Sequence, residues 1–489
     1  MARKTSTRMV CSLMVLAAAF GLAPAAWAGE AAPAPEAKAA AVKPEVPPAM
    51  AAPPPATVFD EMDLWIDKTK APLPWFKWGA DLRFRDEYFN STGLDSHSPL
   101  TGTKADETNW QRIRARWWTT VTPVKDVDLN LRITWEGRHW SAPDGTPTWA
   151  KEQVIFDTLN LKFTNFLGTP LTMVLGRQDI ILGDGWLVQD GTALDGSRTA
   201  FFDAARFSYA IPDASTVVDL IFIDNKHRGD AIVPPLLSFK TNLIEQDERG
   251  LVLWVANRSL PNTEMDGYYI YKDSDSVTGV SGTEDSFIHT FGARIAGDLS
   301  DHWKYRAEGA TQFGRRNDQY LRAFGFNSRL TYLLKDAPNN QFRVSYEYLS
   351  GDDPHTTGTN EGWVPLWGRW TQYSELYGPM ISATGEGRAS EYSNLHRLAF
   401  GWTCNPTKKL ELNADYHLLF APQNPKAGTS GFSESGAFRG QLLKFLANYT
   451  FTKHLKGHIL TEFFFPGNYY RSPENDIATM LRGELYFTW

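Results

Sequence analysis

Hydrophobic and polar side chains take turns along most of this chain, from about residue 75 to residue 489. In the last stretch Leu481, Gly483, Leu485, Phe487 and Trp489 fall on one side, and Arg482, Glu484, Tyr486 and Thr488 on the other. That is the two-residue period of a β-strand. The same alternation sets Trp78, Ala80, Leu82 and Phe84 against Asp81, Arg83, Arg85 and Glu87. It sets Ile113, Ala115, Trp117 and Val121 against Arg112, Arg114, Arg116 and Trp118, and Phe342, Val344, Tyr346 and Tyr348 against Arg343, Ser345 and Glu347. Leu410, Leu412, Ala414, Tyr416, Leu418 and Phe420 alternate likewise with Glu411, Asn413, Asp415 and His417.

Short connections near 123–126, 165–170, 211–215, 258–264, 298–302, 335–341, 404–408 and 452–456 alternate with long ones. The long set lies near 90–108, 139–152, 183–197, 225–247, 274–284, 350–390, 421–438 and 466–476, with one brief outer turn near 315–319. Short periplasmic turns and long external loops belong to outer-membrane barrels, and the segments number about eighteen. A soluble two-sheet protein alternates too, but has little use for large aromatics such as Trp78, Tyr209, Trp402, Tyr449 and Trp489 on one face. Aromatics of this kind sit at the membrane–water interface. The expected fold class is all-β, a transmembrane antiparallel up-and-down β-barrel of about 18 strands with both barrel ends on the periplasmic side.

The first residues differ. Arg3, Lys4 and Arg8 precede an apolar run over 9–20 and an Ala26-Trp27-Ala28 cleavage pattern. Residues 1–28 therefore read as a secretory signal peptide, too short in its apolar core to span comfortably as an anchor. Residues 29–74 read as an Ala/Pro-rich linker and a short periplasmic segment, with 58–70 a short amphipathic helix or plug-like piece. Residues 75–489 form the barrel. Beyond the leader no apolar run of about 18 residues exists, which excludes a helical bundle. A mean hydropathy of −0.36 suits a barrel that hides its hydrophobicity in alternation.

Charge adds a second layer. The full chain carries a formal −7, and removing the leader's three basic residues makes it more acidic, which argues against nucleic acid. Cys404 alone remains beyond the leader's Cys11, so neither an intrachain disulfide nor a cysteine metal cluster is expected. Yet inward parity collects Arg83, Arg85, Arg112, Arg114, Arg116, Arg132, Arg206, Arg294, Arg306, Arg329, Arg343, Arg397 and Arg482, with Lys162, Lys304 and Lys444. Acids of the same parity are fewer: Asp81, Glu87, Asp128, Glu136, Asp219, Glu308, Glu347, Glu411, Asp415, Glu462 and Glu484. A basic excess in a confined channel focuses potential and draws anions. The competing account, cross-strand pairing that stiffens the wall, covers most of these charges. Arg112, Arg114 and Arg116, consecutive inward positions of one strand, are the first candidates for a substrate-facing ladder.

No catalytic residue, metal ligand or cofactor is expected, and the chain reads as a non-enzyme. Asp352 and Asp353 lack a full oxygen-ligand pattern. The ten His residues show no HExxH spacing, and neither a GxSxG elbow nor a phosphate loop occurs. Inward acids exist, but nothing places a nucleophile beside a base.

At LGRQDIILGDGW (175–186) and RTAFFDAARFSYAI (198–211) the chain resembles the alginate-export family of outer-membrane barrels. YEYLSGDDPHTTGTNEGWVPLW (346–367), RGQLLKFLANYTFT (439–452) and FFFPGNYY (463–470) agree with it in order. The resemblance implies an eighteen-stranded barrel with an arginine-lined, anion-selective pore for a secreted uronate polysaccharide. It puts Arg177 and Gln178 in the family's GRQ position; Leu171, Met173 and Leu175 share parity with Arg177, so a bulge must turn it if it lines the pore. Asp184 and Asp203 are expected in hydrogen-bonding roles. The chain departs from the family at Leu442 and Lys444, where carboxylates are usual.

The expected function is an outer-membrane channel for anionic solutes, most concretely an exporter of an acidic, alginate-like polysaccharide. The alternatives are a substrate-selective porin taking up small anionic nutrients and a loop-plugged structural envelope barrel. Expected partners are outer-membrane lipid, an anionic polysaccharide or small anions, and periplasmic synthesis or export machinery. Loops over 183–197 and 350–390, with Arg315, Arg316 and the Trp-rich 363–370, are candidates to gate or collect.

Overall fold

The computed structural model describes residues 58–70, 72–95, 107–142, 149–151, 154–189, 201–227, 233–236, 244, 246–277, 283–368, 371–390 and 392–489. The expected signal peptide, the linker through residue 57, the 190–197 part of one candidate gate, and Arg369 and Trp370 lie outside the described residues.

One antiparallel sheet closes on itself. Its first nine barrel strands are β1 (Phe76–Asn90), β2 (Thr108–Val124), β3 (Val127–Ala142), β4 (Ile155–Phe163), β5 (Leu171–Gln178), β6 (Phe202–Ile211), β7 (Thr216–Asn225), β8 (Asp247–Asn257) and β9 (Thr263–Asp275). The rest are β10 (Ser286–Asp298), β11 (Trp303–Arg316), β12 (Gln319–Leu333), β13 (Gln341–Leu349), β14 (Leu395–Thr407), β15 (Leu410–Phe420), β16 (Phe438–Thr450), β17 (Leu455–Pro466) and β18 (Ala478–Thr488). Two short pieces, Trp149–Lys151 and Thr359–Asn360, add to the sheet without entering the ring. Each barrel strand pairs with the next, and β1 pairs with β18 from Asp81↔Thr488 to Asn90↔Thr479. The expected 18-stranded closed barrel is therefore what forms. In hydrocarbon such closure is required, because a free edge would leave backbone donors and acceptors unmet.

Alternation decides which way each side chain points. On β1, Leu82 and Phe84 are about half exposed on the outer face, whereas Asp81, Arg83, Arg85 and Glu87 are buried inside. Trp117, Leu129, Leu161, Phe291, Phe324, Phe342 and Phe445 continue the bare outer belt.

The buried apolar cluster lies in the lumen. Connections from the long-loop end supply it, chiefly residues 179–189 after β5 and the connection between β13 and β14 with its helix Tyr377–Ala383, joined by Leu94, Phe432, Tyr469 and Tyr470 from three others. Ile180, Leu182 and Trp186–Val188 from the first meet Trp363–Trp367 and Leu376–Ile381 from the second, together with inward wall residues such as Phe202, Trp254, Tyr268 and Ile288. The wall is shaped for them. A Cβ on Gly250 would sit 2.4 Å from the Trp367 ring, and one on Gly325 would sit 2.8 Å from the Trp363 ring. These two glycines are sockets for loop tryptophans.

Candidate functional site

The fifteen sequence-derived candidates separate into two lumenal clusters and a set of wall braces. The first cluster spans the closure of the barrel. Arg112 lies between Glu87 at 2.8 Å and Glu136 at 3.2 Å, and Arg83 reaches Glu136 at 3.1 Å. Arg85 meets Glu484 at 2.6 Å, Arg116 meets Asp81 at 2.6 Å, Arg114 stands 3.6 Å from Asp81, and Arg482 donates to Glu87 at 2.7 Å. The arginine ladder on β2 is thus braced on both flanks by carboxylates of β1 and β3. Arg482 also reaches Glu375 of the inward loop at 3.0 Å, tying the loop to the wall.

Other candidates hold the wall together. Arg132 grips Asp157 at 2.8 Å and both oxygens of Asp179, and Arg206 pairs with Asp219 at 2.9 Å. Arg177 and Gln178 do not line the pore. Arg177 is fully buried, forks onto Asp203 with two 2.8 Å bonds, donates to the Phe156 carbonyl, and lies 3.6 Å under the Phe201 ring. Gln178 gives its amide to the Val174, Gly176 and Ala204 carbonyls. The buried fork neutralises Arg177 within the wall, so no bulge turns it to water. Asp203 has the hydrogen-bonding role expected of it.

The second cluster gathers on β10 to β14. Asp184, from the first inward loop, bridges Arg294 and Arg306 at 3.0 Å each, and Arg294 also meets Asp266 at 2.9 Å. Arg343 pairs with Asp415 at 2.9 Å and Arg397 with Glu347 at 3.0 Å. Arg329 stands among Arg306, Arg343 and Arg397 with no ion pair among the described residues. Burial alone would raise the Asp184 carboxyl, but the hydrogen bond from Arg294 and the charges of Arg306 and Arg294 hold it below the usual carboxylate range.

These side chains border a cavity of about 240 Å³ under the inward loops and a wider one of about 660 Å³ toward the short-turn end. Arg306, Arg329, Arg343 and Asp184 line both. The smaller one is rich in donors without acceptors: Arg306 Nε, Asn327 Nδ2, Tyr373 Oη and His417 Nε2 are buried and unpartnered. A surplus of cationic and hydrogen-bond donors in a confined space is a site for anionic oxygens.

Gln372, Tyr373 and Tyr392 reach this cavity from the loop between β13 and β14. Sequence parity missed them because an irregular loop has no period. Asp352 and Asp353 accept backbone N–H bonds from Glu361 and His355, the geometry of a turn. No metal-ligating cluster occurs among the described residues.

The profile of the family described as alginate export matches residues 79–482. No curated protein matches the chain in sequence. Solved structures share the fold at low identity. Acinetobacter baumannii OccAB2 has a TM-score of 0.54 at 12% identity, over 84% of this chain and 98% of that one. Pseudomonas aeruginosa OccK5 has a TM-score of 0.52 at 11% identity, over 84% and 97%. Pseudomonas aeruginosa OccK2, solved in complex with glucuronate, has a TM-score of 0.50 at 12% identity, over the same shares.

Proposed function

Since the chain belongs to the alginate-export family and is an outer-membrane channel, we propose that its lumen conducts anions, and most concretely an acidic, alginate-like polysaccharide leaving the cell. The observation that carries this reading is Arg329. Its guanidinium adjoins the donor-rich cavity while its neighbours are paired off. An uncompensated guanidinium offers a planar fork to a carboxylate, and the half-satisfied donors around it take hydroxyls. Contacts shared over several donors hold a sugar acid weakly enough to pass it on. The wider cavity adds Arg258 and Lys304 toward the short-turn end, which is the periplasmic end in this reading and would face any synthesis machinery.

A second reading is favoured by the two inward loops: a porin for small anionic nutrients, since the smaller cavity is only about 240 Å³. The glucuronate in OccK2 belongs to that protein and suits either reading.

Planar-bilayer recordings under a salt gradient test the common core of both. The expected result is a reversal potential of anion-selective sign and current block by uronate oligomers. Cation preference would end the proposal. Graded block by oligomers of rising length, with passage into the opposite chamber, separates polymer transport from small-solute uptake.

A further inference from the structure

The helix ahead of the barrel, α1 (Val58–Thr69), lies outside the residues that the family profile matches, 79–482. Its contacts set its rotation. Ile66 is fully buried, and Trp78 Nε1 donates to the Thr69 carbonyl at 2.8 Å. Asp63 accepts from Thr452 Oγ1, and Asp67 pairs with Lys453 and lies 3.6 Å from His454. Both carboxylates are thus held at the turn between β16 and β17, where water reaches them.

A helix advances about 100° per residue, so Leu64, Lys68 and Trp65 share the arc opposite these contacts, with exposed Glu61 at its N-terminal end. Nothing covers it among the described residues: Leu64 is 60% and Trp65 53% exposed. The bare arc is not isolated. The Trp65 ring meets Trp489 edge-on at 4.4 Å, and Trp489 lies 5.5 Å from Trp78. Trp78 and Trp489 belong to the outward series of β1 and β18, which continues into the exposed Leu82 and Phe84. Trp75 and Leu73, in the segment joining the helix to β1, are exposed as well. The helix face therefore extends the barrel's lipid-facing belt around its short-turn rim.

We propose that α1 is an interfacial helix, seated in the headgroup layer of the outer membrane. Leu64 and Trp65 sink among headgroups and upper acyl segments, and Lys68 reaches from between them to lipid phosphates. Tryptophan prefers this layer because its ring is apolar and its N–H is not. Lysine beside it buries its methylenes and keeps its charge wet. Asp63, bonded to Thr452 and 4.0 Å from His454, and Asp67, paired with Lys453, are turned to the β16–β17 turn and need not enter the lipid, while Glu61, exposed on the arc one turn before Trp65, keeps its carboxylate among the hydrated headgroups. Continuity with the lipid belt favours this occupant over a second protein.

The test uses the full chain in vesicles of phosphatidylethanolamine and phosphatidylglycerol, with Cys11 and buried Cys404 both replaced by alanine. A bimane label is placed at Leu64→Cys, with Asp301→Cys on another short turn as the control. Heat-dependent gel mobility reports folding, and Lys68→Cys on the same arc repeats the reading if the first variant folds poorly. Nitroxide lipids labelled near the headgroup should quench the Leu64→Cys probe severalfold more than the control, while iodide quenches it severalfold less. Iodide access equal to the control overturns the proposal. Shielding from iodide without lipid quenching overturns it too, by showing a protein over this face.

Discussion

Arg329 and Arg177 are the same residue type with opposite duties, and only their surroundings tell them apart. Arg329→Gln should move the reversal potential toward zero with little loss of stability, because no ion pair is broken. Arg112→Gln should move it less, since Glu87 and Glu136 already offset that charge; equal shifts would count against Arg329 as the conducting cation. Asp203→Ala strands a buried guanidinium and should cost about 3–5 kcal/mol in urea unfolding, with selectivity unchanged in whatever barrel remains folded. Asp184 adds a pH dependence. Its carboxyl is held below the usual range, so its tie to Arg294 and Arg306 stands above about pH 4 and is lost as pH falls through the depressed value. Anion selectivity should rise in that acid window, and Asp184→Asn should show the raised selectivity already at neutral pH. Parity in the sequence told which guanidiniums point inward. It did not tell which meet a carboxylate, because that depends on strand register and on Asp184 arriving from a loop.

At the scale of elements, the inward loop between β13 and β14 is held by shape and by charge. Trp363 and Trp367 occupy the glycine sockets, and Glu462 of β17 accepts from the Glu375 and Leu376 backbone N–H groups and from Ser374. Gly250→Val should expel Trp367 at a cost of about 1–3 kcal/mol to the docked loop, and single-channel conductance should rise. Glu462→Leu should act in the same direction, leaving backbone donors unmet at about 1–3 kcal/mol. Unchanged conductance in both would mean that the loop does not restrict the pore. The strands were legible because their two-residue period is imposed by lipid on one side and water on the other. The docked loop was not, since its tryptophans answer to absences on distant strands, and a glycine at residue 250 or 325 signals nothing until the partner is known.

For the whole molecule, the strand count came from turn lengths as much as from alternation, and each long connection marked a change of direction. What no local pattern carries is the last ladder, from Asp81↔Thr488 to Asn90↔Thr479, joining segments at opposite ends of the barrel chain. Neither edge strand can be satisfied until the final residues have been delivered across the inner membrane. The polypeptide must consequently be kept from self-association during its whole transit, and its insertion is an event of the completed chain. A nonsense lesion that removes only β18 leaves two raw margins in place of one seam, and its product should be cleared by envelope proteases instead of accumulating as a folded barrel.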